Sequence, residues 1–117
     1  MNTRSIDDVD FEKRHGLLPV IVQDIDTKDI LMLGYATREA LDNTLKTGNA
    51  FFWSTSRNKL WMKGEDSGNI QQVEKIFLDC DSDALIYLVN SKTPVCHTGN
   101  RSCFHNLLKI SKKKDTY

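Results

Sequence analysis

The chain has 117 residues, the size of one domain with its own core. Sixteen basic residues balance sixteen acidic ones, so bulk charge gives no support for a nucleic-acid or membrane-surface partner. No apolar run approaches the ~18 residues of a membrane span, and the polar, acidic start MNTRSIDDVDF lacks the apolar centre of a signal peptide. A soluble cytoplasmic protein is the expectation. Three cysteines, an odd number in a reducing compartment, argue against a disulfide framework. Metal ligands, a nucleophile or plain buried thiols remain as readings.

In chain order, LLPVIVQDI (17–25) is a short apolar run rich in β-branched residues and predicts a strand. DILMLGYA (29–36) predicts a second, joined to the first by a turn at DTKD. A helix follows. Thr37 caps it, Glu39 lies in its first turn, Lys46 in its last, and Gly48 just past its end. Ala40, Leu41, Thr44 and Leu45 share its apolar face. AFFWSTS (50–56) and KLWMK (59–63) predict two more strands, GEDSGN (64–69) a loop. QQVEKIFLDCD (71–81) alternates Val73, Lys75, Phe77 against Glu74, Ile76, Leu78. ALIYLVN (84–90) predicts a buried strand and VCHTGNRSCFHN (95–106) a loop. The tail 111–117 is expected to be frayed. The sum is a single domain over 1–117, mainly β with one clear α-helix, folded mostly as antiparallel sheet.

LDCDSDA (78–84) is the most unusual stretch. Asp79, Asp81 and Asp83 fall at every second position, with Cys80 between the first two. Carboxylates suit hard cations such as Mg²⁺ and thiolates suit Zn²⁺, so two sites are suggested. In an extended strand Asp79 and Asp83 stand about 13 Å apart, too far for one ion. If one ion takes all three, the segment must curl at Ser82. An EF-hand loop is excluded, because Ala84 stands where Gly is required and Asn90 where Glu is required. A plain acidic turn is the bland alternative.

Cys80, Cys96 and Cys103 are separated by 16 and 7 residues. Three thiolates and an open position would make a catalytic zinc site, and a fourth ligand from His97 or His105 a closed structural one. Three unrelated buried thiols are the bland reading. The zinc-deaminase pattern is absent, since Pro94-Val95-Cys96 lacks the second cysteine and no His-x-Glu occurs. Between 53 and 69, Ser54, Ser56, Arg57, Lys63, Ser67, Gly68 and Asn69 supply donors for phosphate oxygens. Trp53 and Trp61 offer flat faces for a base, or pack in the core.

The blocks FFWSTSRNKLWMKGEDSGNIQQV, LDCDSDALIYLV and CHTGNRSCF resemble the signature blocks of the phosphoribosyl-AMP cyclohydrolase family, and the likeness spans about residues 16 to 105. That resemblance implies the third step of histidine biosynthesis, hydrolytic opening of the adenine ring of N1-(5-phosphoribosyl)-AMP between N1 and C6. It implies an intertwined homodimer with a zinc site completed across the interface. Cys80, Cys96 and Cys103 match the zinc ligands; Asp79, Asp81 and Asp83 match the Mg²⁺ ligands. On that basis His97 is the expected general acid or base. Ser54, Ser56, Arg57, Trp61, Lys63, Glu65, Ser67 and Gly68 are the expected substrate contacts. Departures fall at Thr55, Asp66 and Asn100, where the family often has Arg, Thr and a charged residue. Many relatives carry a second domain that hydrolyses phosphoribosyl-ATP. With Tyr117 the last residue here, that activity is expected to be absent.

Overall fold

Alternating apolar residues fold six segments of the described residues into strands, with one helix among them. The structure, a computed structural model, describes residues 2–111. Two short 3₁₀ turns, Ile6–Asp8 and Glu12–Arg14, precede β1 (Leu18–Asp24) and β2 (Ile30–Ala36). The helix α1 (Arg38–Thr47) follows, then β3 (Phe51–Ser54), β4 (Lys59–Met62), β5 (Gln72–Leu78) and β6 (Leu85–Asn90). The tail expected to fray falls, from residue 112 on, outside the described residues.

Four strands form a sheet in the order β2-β1-β6-β5, and β3 pairs with β4 in a separate hairpin. The β1–β2 and β5–β6 pairs are antiparallel, as expected. The central β1–β6 pair is parallel, so the sheet is mixed. A parallel pair requires a long crossover, which α1 and the β3–β4 hairpin supply.

Local signals set the helix. The Thr37 hydroxyl accepts the Ala40 amide at 3.2 Å, and Gly48, at φ 79°, closes the other end by donating to the Thr44 carbonyl. Ala40, Leu41 and Thr44 are buried. Leu45, expected to share their face, is 53% exposed. It sits at the edge of the apolar stripe and lines a groove of about 360 Å³ with Ile6, Val9 and Leu78.

The core lies between one sheet face and α1 with β3. Leu18, Val20 and Val22 of β1 meet Leu31 and Ala36 of β2, Phe52 of β3 and Leu85, Tyr87 and Val89 of β6. Thr44 is buried mid-helix because its hydroxyl accepts the Phe51 amide at 3.0 Å and bonds the Ala40 carbonyl at 2.9 Å. The Tyr87 hydroxyl donates to the Phe51 carbonyl at 3.3 Å, and burial pushes this phenol up to about 12. In β5 strict alternation fails. A register shift between Val73 and Lys75 puts Val73, Ile76 and Leu78 all against the core, where alternation separates Val73 from the other two.

The opposite sheet face is also apolar. Ile21 pairs with Leu33 and Pro19 with Tyr35 on that side. Ile21, Leu33 and Tyr35 are each about two-fifths exposed or more.

Gly34 lies beneath the Phe52 ring, and a Cβ there would meet Phe52 Cδ1 at 2.7 Å. Gly34→Ala should therefore cost about 1–3 kcal/mol by overpacking. Thermal melting checks this. Phe52→Leu in the same background should recover part of the loss, and an unchanged melting temperature for Gly34→Ala would refute the contact.

Candidate active site

The strand expected to run to Asp81 stops at Leu78, and Asp79–Ala84 turns the chain into β6. Asp79 organises the turn. Its Oδ1 accepts the amides of Asp83 at 2.9 Å and Ala84 at 3.1 Å, while its carbonyl accepts the Ser82 amide at 3.1 Å. Ser82 takes φ 66°, the left-handed conformation that reverses the chain. The curl at Ser82 brings one carboxylate oxygen from each of Asp79, Asp81 and Asp83 within 4.8 Å of one another. That spacing suits a small hard cation with oxygen ligands. The electrostatics suit one too. Burial and the neighbouring Asp81 push the Asp83 carboxyl up, whereas hydrogen bonds from Asp83 and Asp79 hold Asp81 down. Three carboxylates this close oppose one another's ionisation, and a divalent cation would relieve that.

The three cysteines are not brought together within one chain. Cys80 lies exposed in the β5–β6 turn. Cys103 lies at the other end of the sheet, where its amide donates to the Leu31 carbonyl at 2.7 Å. Six residues of β6 set those ends about 20 Å apart. Cys96 shares the corner with Cys103. The Thr98 hydroxyl, 3.1 Å from Cys96 Sγ, and the Thr98 amide draw this thiol down to about 6. Burial and the adjacent Cys96 push Cys103 up. His105 Nε2 is 3.9 Å from Cys96 Sγ, while His97 is exposed on the turn after Cys96. One chain thus offers two thiols and an imidazole in one corner, with the third thiol beside the aspartates. A tetrahedral zinc needs sulfurs about 2.3 Å from the metal, so the three-cysteine set fits only if a second copy supplies part of it.

The donor-rich segment is a hairpin and a tight loop. Ser54 Oγ accepts the Arg57 amide at 3.2 Å and lies 3.4 Å from Ser56 Oγ. Trp61 packs on Phe52 with ring centroids 5.5 Å apart. Arg57 and Lys63 lie 5.9 and 5.7 Å from the Trp61 ring, within cation–π range. Glu65 turns back on its own strand and accepts the Met62 amide at 2.6 Å, so its carboxylate shapes the loop. Gly64, at φ 88°, sits against the Asn69 backbone where no Cβ fits. Ser67 Oγ accepts the Asn69 amide at 3.2 Å, and the Gly68 amide donates to the Gly64 carbonyl at 2.8 Å. Trp53 is half-buried in β3.

A family model described as phosphoribosyl-AMP cyclohydrolase matches residues 32–105. The chain is 60% identical to a phosphoribosyl-AMP cyclohydrolase of Nitrosopumilus maritimus over 91% of this chain and 98% of that protein. It is 61% identical to one from Archaeoglobus fulgidus over 80% of this chain and 87% of that one, and 47% identical to one from Clostridium botulinum over 92% and 99%. The chain belongs to the phosphoribosyl-AMP cyclohydrolase family.

Two sets of residues in this cyclohydrolase-family chain escaped the reading of its sequence. Lys13 Nζ lies 3.4 Å from Asp81 Oδ2 and 3.7 Å from Asp83 Oδ2, and Arg14 Nε lies 3.1 Å from Asp83 Oδ2. Nothing local in the sequence signals these pairs. Arg101 is the second. It stands between Cys96 and Cys103 and bonds Asp24 at 3.0 Å, Asp29 at 3.2 Å and the Ser91 carbonyl at 3.3 Å. It clamps the cysteine loop onto the β1–β2 hairpin.

Asp24 is buried. Burial alone would raise its carboxyl, but hydrogen bonds from Thr27 and Ser91 and the Arg101 charge hold it below the ordinary 3.8. A depressed folded pKa stabilises the fold above the unfolded value and loses that contribution as pH falls through the folded one. Arg101 is 38% exposed, so solvent screens part of the pair. Arg101→Met should then cost about 1–2 kcal/mol at pH 7. Melting curves should show the gap to the parent narrowing below pH ~4. A gap that widens with acid would contradict this role for Asp24.

Proposed function

We propose that this protein hydrolyses the adenine ring of N1-(5-phosphoribosyl)-AMP at the N1–C6 bond, the third step of histidine biosynthesis. Family membership with 60% identity across nearly the full chain carries the reading. The convergence of Asp79, Asp81 and Asp83, with Cys80 beside them, supports it locally.

The metal assignment belongs to the same proposal. Cys80 of one copy and Cys96 with Cys103 of a second would hold Zn²⁺; the three aspartates would hold Mg²⁺. When bound, zinc supplies the Lewis acidity that activates water, and the hard cation offsets negative charge on the substrate. The low-lying Cys96 thiol is ready to serve as a thiolate at neutral pH. In the reaction water oxygen adds to C6, the C6–N1 bond breaks, and N1 takes a proton. His97, exposed beside Cys96, is assigned the proton transfer at N1. Arg57 and Lys63 are assigned to phosphate charge, with Ser54, Ser56, Ser67 and Gly68 as neutral donors. Trp61 is assigned to a base, with its position fixed by Phe52. Glu65 contributes by shaping the loop that carries Ser67 and Gly68.

The apolar outer face of β1 and β2 and the exposed Phe104, Leu107, Leu108 and Ile110 support the homodimer. Leu33→Glu should give a monomer by sedimentation and lower bound zinc together. A monomer that keeps one zinc per chain would refute the shared site.

Mixing the protein with N1-(5-phosphoribosyl)-AMP, Zn²⁺ and Mg²⁺ and following ultraviolet absorbance tests the function. Conversion to a product heavier by one water, abolished by a zinc chelator and by Cys80→Ser, is the expected result. His105 beside Cys96 favours a second reading, in which an imidazole closes the zinc site and the metal is structural. That reading gains if folded, zinc-loaded dimer leaves the ring intact and chelation unfolds the protein.

A further inference from the structure

Lys13 and Arg14 sit in an unusual place. They close the second 3₁₀ turn, and the chain reverses after them through His15 at φ 56° and Gly16 at φ 86°. The segment is docked on the aspartate turn by the Asp10 amide, which donates to the Ser82 carbonyl at 2.8 Å. Lys13 Nζ also donates to the Asp81 carbonyl at 3.2 Å. Two cationic side chains thus pair with Asp81 and Asp83, two of the three carboxylates of the cluster. A cavity of about 600 Å³ opens beside them, within the range of small-molecule sites. Its polar lining is Lys13, Arg14, His15, Tyr35 and Thr55, and no carboxylate is among its lining residues. The apolar remainder is Leu17 and Pro19, and Pro19 with Tyr35 puts the cavity at the edge of the outer β1–β2 face proposed to meet a second copy. Thr55 belongs to the same β3–β4 turn as Ser56 and Arg57, so the cavity joins the donor-rich hairpin to the aspartate turn.

We infer that Lys13 and Arg14, with His15 and the hydroxyls of Tyr35 and Thr55, form a subsite for one of the substrate's two 5′-phosphates. Charge is the physical reason. Without a metal, the carboxylates outnumber the two cations and hold them. A divalent cation on the aspartates turns that deficit into an excess, and Lys13 and Arg14 become free to face an anion. Cation binding and phosphate binding then reinforce each other through these two side chains. The assignment to a substrate phosphate rests on the proposed function; the anion subsite itself rests on the cavity and its charge. Arg57 and Lys63, which lie by the Trp61 ring, are left for the other phosphate.

AMP and ribose 5-phosphate each carry one of the two phosphates, and they are the probes. Calorimetry would measure their binding to the intact protein, with and without Mg²⁺. The proteins compared are the parent, Lys13→Gln/Arg14→Gln, Arg14→Gln alone, and the charge-keeping Lys13→Arg/Arg14→Lys. The double Gln variant should bind one probe about tenfold more weakly or worse and the other unchanged. The charge-keeping variant should retain most of the affinity. Mg²⁺ should tighten that same probe on the parent and do so less on the Gln variants. Arg14→Gln alone serves if the double variant melts at room temperature. Equal weakening of both probes, or of neither, would overturn the subsite. Turnover is read separately: a parent that binds a probe through Lys13 and Arg14 but leaves the ring closed keeps the subsite and loses the proposed function.

Discussion

The Asp79 carboxylate is the hinge of this molecule. By accepting the amides of Asp83 and Ala84 it bends an alternating strip of aspartates into a turn. An extended strip would spread its carboxylates over about 13 Å. The bent one gathers them within 4.8 Å of one another. The energetic tension of three like charges follows directly, and it explains the company they keep. Lys13 and Arg14 are drawn in from a distant part of the chain because an uncompensated buried carboxylate such as Asp83 is costly.

The sheet order then distributes the chemistry. Because β1 and β6 run parallel in the centre, the β5–β6 turn lies at one end and the loop after β6 returns at the other. Aspartates and Cys80 occupy the first end; Cys96, Cys103 and His105 occupy the second. Arg101 fixes that second end through the buried Asp24. A single chain carries both halves without joining them. The apolar outer face of β1 and β2 is the surface through which two copies would meet. Core packing thus uses one face of these strands and leaves the other for the proposed assembly, with Val20 and Val22 turned inward and Ile21 outward.

The donor-rich hairpin shows how residue type and residue role separate. Glu65 reads as a substrate contact, and one of its carboxylate oxygens also accepts the Met62 amide and shapes the loop. Trp61 reads equally as core or platform and is partly both, with Phe52 against it and two cations near its ring. Gly64 needs no ligand to explain it, because the Asn69 backbone occupies the space of a side chain.

Read alone, the sequence determined what short-range physics determines. Thr37 and Gly48 bound the helix through hydrogen bonds three and four residues away. Period-two apolar runs mark the strands, and the ligand-rich stretches with their family blocks are visible as written. Only the tertiary structure decided what depends on closing long loops. The parallel β1–β6 pair, the register shift after Val73 and the separation of Cys80 from Cys96 and Cys103 are of this kind. So are the Lys13–Asp81 and Arg101–Asp24 contacts, which join residues 68 and 77 positions apart. Such pairings are set by where a packed core leaves each chain segment, and nothing within a few residues of either partner encodes that distance.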